Sequence, residues 1–373
     1  MTELRPVWAE VDLAALRANV AELRRIAAPA RVLAVVKADG YGHGAVATGR
    51  AAVEAGATML GVALVEEGVE LREAGIEAPI LVLSEPVASA AAAVVASRLT
   101  PAVYTAAGIE ALAKAVAEHG AGPLPVHLKI DTGMHRVGAA PEAADALAEL
   151  IGAHQELRFE GLWTHLAVAD EPANPYTSEQ LRRFETVRTR LAEAGERPEI
   201  GHAANTAGTL AFASARYDLV RPGIGIYGIP PVVELGAGAD LSPVLAVKAR
   251  VSFVKRLPAG EAISYGLRYR VERAVNVATV PIGYGDGVPR NLAEAGGEVL
   301  VRGRRRPIAG TVTMDQLMID MGDDEIEAGE EVVLLGRQDS EAVTAAEWAA
   351  RLNTIPYEIV CNIGPRVPRR VLA

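Results

Sequence analysis

Arg31-Val32-Leu33-Ala34-Val35-Val36-Lys37, running on into Ala38-Asp39-Gly40-Tyr41-Gly42-His43-Gly44, is the stretch on which the fold reading turns. Its apolar residues show no polar alternation, which suits a strand covered on both faces, as in a parallel sheet. A longer Ala/Leu/Glu/Arg segment of helical period follows, and the same unit recurs. Further runs are predicted over 58–64, 78–84, 99–105, 125–131, 159–165, 199–205 and 217–223, eight in all with 31–37. Helical faces lie between them, such as Leu181, Phe184, Val187 and Leu191. Eight βα units close a (β/α)8 TIM-type barrel, while a doubly wound open sheet is the competing architecture. Lys37, Asp131, His165, Asn205 and Arg221 fall at the ends of their runs. Barrel enzymes build their sites there, from several strands at once, and this favours the barrel.

After about Pro230 the texture changes to β-rich segments punctuated by Gly and Pro: 244–257, 275–284, 298–312, 317–321 and 331–335, with one helix over 344–352. Two domains are expected: a barrel over 13–235 and a mostly antiparallel β domain over 236–373, to which residues 1–12 can add. The Ala-rich run 89–97 reads as a barrel helix. A net charge of -10 and a pI near 5.4 argue against nucleic acid as a partner. The single Cys361 leaves no internal disulfide and no cysteine-based metal framework. Residues 1–14 carry acidic groups and lead into no apolar signal region, and no apolar stretch reaches membrane-spanning length. A cytoplasmic protein without a membrane partner is expected.

Lys37 opens the chemistry. A lysine at the end of a buried strand is costly unless it is paired, neutral or covalently used. Desolvation eases loss of its proton, as a Schiff-base lysine requires. On the strand and the Gly-rich turn alone, that reading and a lysine snorkelling at a barrel mouth stand level.

The flanking blocks add a resemblance. Val35-Val36-Lys37-Ala38-Asp39-Gly40-Tyr41-Gly42-His43-Gly44 resembles the cofactor-lysine motif of the alanine racemases, a branch of the barrel-type (fold-type III) pyridoxal-phosphate enzymes. The blocks His127 to Gly138, His202 to Gly208, Val220 to Ile224, Ile263 to Gly266, Pro281 to Gly287, Thr313 to Gln316 and Ile355 to Glu358 follow in the family's order. Singly they are weak; together they are specific. The resemblance implies racemisation of L- and D-alanine through a substrate aldimine, with pyridoxal 5'-phosphate on Lys37 and Tyr265 as the second base. It implies that Tyr41, Thr206, Gly223, Ile224 and Tyr357 hold the phosphate, that Arg221 faces the pyridine nitrogen, and that His165 and Asn205 belong to the cofactor site. Arg136 and the Met314 amide would take the substrate carboxylate. Lys129, often carbamylated in the family, would pair with Arg136, and Asp315 and Tyr284 would support the pocket. An arginine at the pyridine nitrogen donates a hydrogen bond without giving up its proton, which weakens the electron sink and suppresses side reactions. Tyr265 as a base needs a cation to stabilise its anion; His165 and Arg136 are the candidates. The family also implies a homodimer with active sites shared between subunits, and a role supplying D-alanine for peptidoglycan.

The sequence departs at two positions: Thr206 stands where Ser is common and Thr313 where Cys is common. Thr206 keeps the hydroxyl; Thr313 removes a thiol near the substrate. Rival readings are a racemase for serine or for many amino acids, a neighbouring decarboxylase, and a non-catalytic pyridoxal-phosphate carrier. The decarboxylase lacks a catalytic cysteine motif here, and the carrier would lack the β domain with Tyr265. His127, His135, His165 and His202 show no compelling ligand spacing, so no metal is expected.

Overall fold

The computed structural model describes residues 4–120 and 122–373. The chain divides into two compact units.

The first unit, residues 15–40 and 45–242, is a barrel. Its strands are β1 (Arg31–Val35), β2 (Met59–Val62), β3 (Ile80–Val82), β4 (Thr100–Val103), β5 (Leu124–Lys129), β6 (Leu157–Trp163), β7 (Ile200–His202) and β8 (Leu219–Val220). Each pairs in parallel with the next up to β7, and β8 pairs with β1. A parallel bridge between Asn205 and Arg221 joins the chain just past β7 to the chain just past β8 and closes the ring. Every residue of β2, β3 and β4 is buried, as a parallel sheet covered on both faces requires. The outer helices bury one stripe each. In Tyr176–Glu193 the buried residues Thr177, Gln180, Leu181, Phe184, Val187 and Leu191 recur at three- and four-residue spacing. Burial of Phe184 alone contributes roughly 1.5–3 kcal/mol. Helix Ala106–His119 starts where Thr105 accepts from the Gly108 amide and stops at Gly120 in the left-handed conformation.

The ladders are shorter than the apolar runs. β1 ends at Val35, not Lys37; β6 ends at Trp163, not His165; β7 ends at His202, not Asn205; β8 ends at Val220, not Gly223. The extra residues lie beyond the named strands, Asn205 and Arg221 keeping one isolated bridge, and they include the polar side chains that mark the barrel's C-terminal end. Across the 89–97 run, a 3-10 turn at Ala88–Ala90 leads into helix Ala91–Ala96.

The second unit comprises residues 4–14, 41–44 and 243–373. Its main sheet runs Arg304–Pro307, Glu298–Val301, Glu331–Gln338, Leu245–Arg250, Val7–Asp12, Arg369–Leu372, with Glu341–Val343 paired beside Glu331–Gln338. All pairs are antiparallel except Val7–Asp12 with Arg369–Leu372. A three-stranded antiparallel sheet joins Phe253–Leu257, Val275–Val280 and Leu317–Gly322. Burial alternates along Leu317–Gly322, the mark of one buried and one open face. The single segment expected over 298–312 is instead a hairpin. Arg302 and Gly303 both take positive φ, the two-residue turn that matches strand twist. Helix Ala345–Leu352 is capped by the Thr344 side chain, and a second helix, Pro356–Cys361, begins with proline at its first position. Among the described residues no helix is long and apolar enough to cross a membrane.

Candidate active site

Lys37 opens a turn, Lys37–Tyr41, in which Ala38, Asp39 and Gly40 have φ of 53°, 51° and 61° and Tyr41 has 54°. A left-handed residue other than glycine costs roughly 1–2 kcal/mol, so local bonds must hold the turn. They do: the Gly40 amide donates to Val36 O at 2.8 Å, and the Ala45 amide to Asp39 Oδ1 at 2.9 Å. The Ala38 amide donates to Glu67 Oε1 at 2.6 Å, while Glu67 Oε2 accepts from the Ala63 and Leu64 amides. A Cβ on Gly40 would lie 2.7 Å from Thr48 Oγ1. The stretch that carries Lys37 is therefore pinned on both sides, and Glu67 is a contributor that sequence reasoning missed.

Around the same end of the barrel, basic groups converge. Lys129 closes β5 and is 4% exposed, its Nζ lying 4.4 Å from the centroid of the Trp163 ring. Burial, then the charges of Arg221 and Arg136, push its pKa down to about 7, with Asp131 opposing and Lys37 adding to the fall. His165 is held well below its usual value by burial, then by Arg221, Arg136, Lys129 and Lys37. His165 is therefore neutral. Gln180 fixes the chain at His165 by donating to its carbonyl at 3.0 Å and accepting from the Ala167 amide at 2.8 Å. Asp131 accepts from the amides of Gly133 and His135, closing the turn that leads to the exposed Arg136.

Arg221 is buried, and burial lowers its pKa to about 9. Its Nη2 donates to Thr164 O at 2.9 Å and Ala203 O at 3.0 Å and lies 3.3 Å from His165 Nδ1. Its Nη1 donates to His202 Nδ1 at 2.9 Å, and its guanidinium lies 4.7 Å from the centre of the Trp163 ring. Next to it, Thr206 Oγ1 accepts from the amides of Gly223 at 3.0 Å and Gly225 at 3.3 Å. With both lone pairs engaged, the hydroxyl proton is left to point outward. A Cβ on Gly225 would lie 2.6 Å from Thr206 Cγ2, so this close approach needs glycine. Ile224 starts the 3-10 turn Ile224–Tyr227. The Asn205 side chain caps helix Thr206–Ala211 by accepting from the Gly208 amide at 2.9 Å.

The remaining predicted residues belong to the second unit. Tyr41 and Tyr357 pack ring against ring, 6.1 Å between centroids. Tyr265 is 70% exposed at the start of a 3-10 turn, its carbonyl accepting from Thr311 Oγ1 and the preceding Ser264 Oγ donating to Thr311 O at 2.6 Å. The loops carrying Tyr284 and Met314 are zipped together, with Tyr284 N donating to Thr313 O and Gly285 N to Met314 O, both at 2.9 Å. Asp315 accepts from Arg366 at 2.6 Å; Arg366 also pairs with the fully buried Asp286, which takes both arms of Arg5. Among the described residues no group of His, Cys, Asp and Glu side chains is arranged to hold a metal ion.

Family models for the alanine racemase N-terminal and C-terminal domains match residues 11–231 and 244–371. The chain belongs to the alanine racemase family. The alanine racemase of Symbiobacterium thermophilum is 50% identical over 367 residues, 98% of this chain and 97% of that protein. Among solved structures, the alanine racemase of a D-cycloserine-producing Streptomyces lavendulae superposes with a TM-score of 0.94 at 40% identity, covering 99% and 97% of the two chains. A histidine racemase from Leuconostoc mesenteroides has the same fold, with a TM-score of 0.91 at 30% identity over 100% and 99%. Family members of this kind supply the enzyme class, an amino-acid racemase. They leave the work of each side chain to the geometry.

Proposed function

We propose that the protein interconverts L- and D-alanine with pyridoxal 5'-phosphate bound at the C-terminal end of the barrel. The observation that carries the reading is the convergence of Lys37, Lys129, Arg136 and Arg221 around a neutral His165, with Asp131 as an opposing carboxylate. Such a cluster calls for an anionic ligand, and the Thr206 hydroxyl beside the Gly223 and Ile224 backbone has the chemistry for a phosphate. The donor set therefore fits the cofactor. When bound, pyridoxal phosphate supplies a conjugated ring that withdraws electrons and acidifies the Cα–H of an amino acid joined to it.

This chain's residues do the rest. Lys37 is the amine that would hold the cofactor covalently. Arg221 would donate to the ring nitrogen, Thr206, Tyr41 and Tyr357 would donate hydroxyls to the phosphate, and Asn205 keeps the Thr206 helix end in place. With substrate bound, Lys37 Nζ takes or returns the proton on one face of Cα. Tyr265 Oη does so on the other, and Arg136 and the Met314 amide hold the substrate carboxylate. Because His165 is neutral, cationic support for the Tyr265 phenolate falls to Arg136. Lys129, about half neutral near pH 7, has the free amine that carbon dioxide needs; an N–C bond forms, one proton leaves, and the resulting carbamate pairs with Arg136. Tyr284 and Asp315 brace the loop that carries Met314. The exposure of Tyr265 and Met314 in the single chain supports a homodimer in which they complete the partner subunit's site. Supply of D-alanine for peptidoglycan and a cytoplasmic location accompany this reading.

The test is incubation with L-alanine, L-serine and L-histidine in heavy water, following Cα-proton loss by NMR and the D-isomer by chiral chromatography. Inversion confined to alanine supports the proposal. Equal inversion of serine or histidine transfers the activity to a broader pocket, and no exchange by a cofactor-loaded protein refutes the two-base scheme. Mixing Lys37→Ala with Tyr265→Phe should restore up to about a quarter of the activity if sites are shared, one intact site forming per mixed dimer.

A further inference from the structure

Behind Arg221, a line of hydrogen-bonded side chains, the fully buried His202 and His127 and the part-buried Glu160, crosses three neighbouring barrel strands. His202 Nε2 lies 2.8 Å from His127 Nδ1, and His127 Nε2 lies 3.0 Å from Glu160 Oε2. Arg158 Nη2 donates to the other Glu160 oxygen at 2.6 Å. The His202 ring also stacks on Trp163, 5.3 Å between centroids and nearly parallel. The His127 ring occupies the space a side chain at Gly161 would fill, so glycine in the middle of β6 makes room for it.

The direction of these bonds follows from their ends. A guanidinium can only donate, and an ionised carboxylate can only accept. His202 must therefore accept from Arg221 at Nδ1 and carry its proton on Nε2, from which it donates to His127 Nδ1. His127 in turn carries its proton on Nε2 and donates to Glu160. One proton per link and two neutral rings satisfy every nitrogen. Reversing either ring would set two N–H groups, or a lone pair and a carboxylate, against each other. The pKa directions agree: burial holds both imidazoles below their usual value. Glu160, which burial would raise, is brought below its usual range by the bonds from His127 and Arg158.

We propose that Glu160 and His127 are positioning residues: they terminate a one-way hydrogen-bond relay that locks His202 in the tautomer whose lone pair faces Arg221. Aligned in this way, the two imidazole dipoles turn their negative ends toward the guanidinium and keep it a charged donor inside an apolar interior. The consequence for catalysis rests on the proposed role of Arg221 at the cofactor ring; the relay itself does not.

The test uses the full chain with 15N-labelled histidine, reading tautomers from long-range proton–nitrogen correlations at neutral pH. Wild type should show His127 and His202 both neutral and protonated on Nε2. Glu160→Gln keeps an acceptor oxygen and should preserve that pattern. Glu160→Lys places a donor at the terminus, so His127 should turn over to the Nδ1–H form and lose its bond to His202. In turnover, Glu160→Lys should lower kcat roughly tenfold, the scale of one misdirected buried hydrogen bond, with KM for alanine within about twofold, and Glu160→Gln should fall between. A purely structural Glu160 would move the melting temperature and leave tautomers and the kcat-against-KM split alone. An Nδ1–H or doubly protonated ring in wild type, or a Glu160→Lys protein with wild-type tautomers, would overturn the proposal. Because the tautomers are read without turnover, a protein that racemised nothing would still uphold the relay while refuting the function above.

Discussion

Replacing Lys129 with methionine isolates what it costs to keep an ammonium in the barrel. Lys129 is almost wholly buried, and its pKa falls from 10.5 to about 7. That gap, at ~1.4 kcal/mol per pH unit, corresponds to roughly 5 kcal/mol of destabilisation when the folded protein must hold the charged form. Residual hydration at the barrel mouth reduces this to roughly half. The sign follows from proton binding. Between about pH 7 and pH 10.5 the unfolded chain holds this proton and the folded chain does not, so the penalty is largest below pH 7 and vanishes above pH 10.5. Methionine, of similar length and without charge, carries no such penalty. Lys129→Met should therefore be more stable than wild type near pH 7, by roughly 2 kcal/mol, and the gap should shrink by more than ~1 kcal/mol by pH 9.5. The assay is urea unfolding at pH 7, 8.2 and 9.5 in buffers stripped of carbon dioxide, so that the amine stays unmodified. A gap that is constant with pH, or that widens as pH rises, would refute the reasoning, because no other property of methionine tracks that window.

Further outcomes are expected elsewhere. Gly225→Ala forces a methyl to 2.6 Å from Thr206 Cγ2 and should weaken retention of pyridoxal phosphate roughly tenfold, read as loss of cofactor absorbance on dialysis, with melting of the apoprotein little changed. Asp286→Ala strips the buried acceptor from Arg5, Arg366 and the Gly283 amide and should cost roughly 3–5 kcal/mol by chemical unfolding; Asp286→Asn should cost less. Tyr265→Phe should slow washout of the Cα proton by roughly a hundredfold or more from one isomer of alanine, while exchange from the other, handled by Lys37, survives better; equal loss from both isomers would count against separate bases.

The barrel was legible because its strands are short, continuous apolar runs, a signal that a sheet covered on both faces cannot avoid producing. Their ends were not. Lys37 and His165 continue their runs in sequence while leaving the ladder in space, and Asn205 and Arg221 keep only an isolated bridge to each other, so only hydrogen bonding marks where the strands end. The cationic cluster could be anticipated from polar residues following apolar runs. The support behind it could not: Glu67 and Gln180 sit on ordinary helical faces, and nothing in their sequence context announces that they pin the Lys37 turn and the His165 carbonyl. His127, His202 and Glu160 left one faint trace, Gly161 inside the strand Leu157–Trp163, which gains meaning only once the β5–β6 register sets it opposite His127. Residues 1–12 were expected to add to the β domain, but the pairing of Val7–Asp12 was not legible, for a different reason. Its partners lie at 245–249 and 369–372, a separation over which local pattern carries no information.

That placement bears on how the protein is made. Residues 15–242 hold every strand of the barrel, so the barrel can close before residues 243–373 are made. The second unit cannot follow the same order. Its strand Val7–Asp12 is synthesised early, yet it lies between Leu245–Arg250 and Arg369–Leu372. Until those two partners have been made it is therefore a strand with open edges, a ready target for a chaperone or for a neighbouring nascent chain. Synthesis of Arg369–Leu372, rather than of the strand itself, is the event that permits this sheet to be completed.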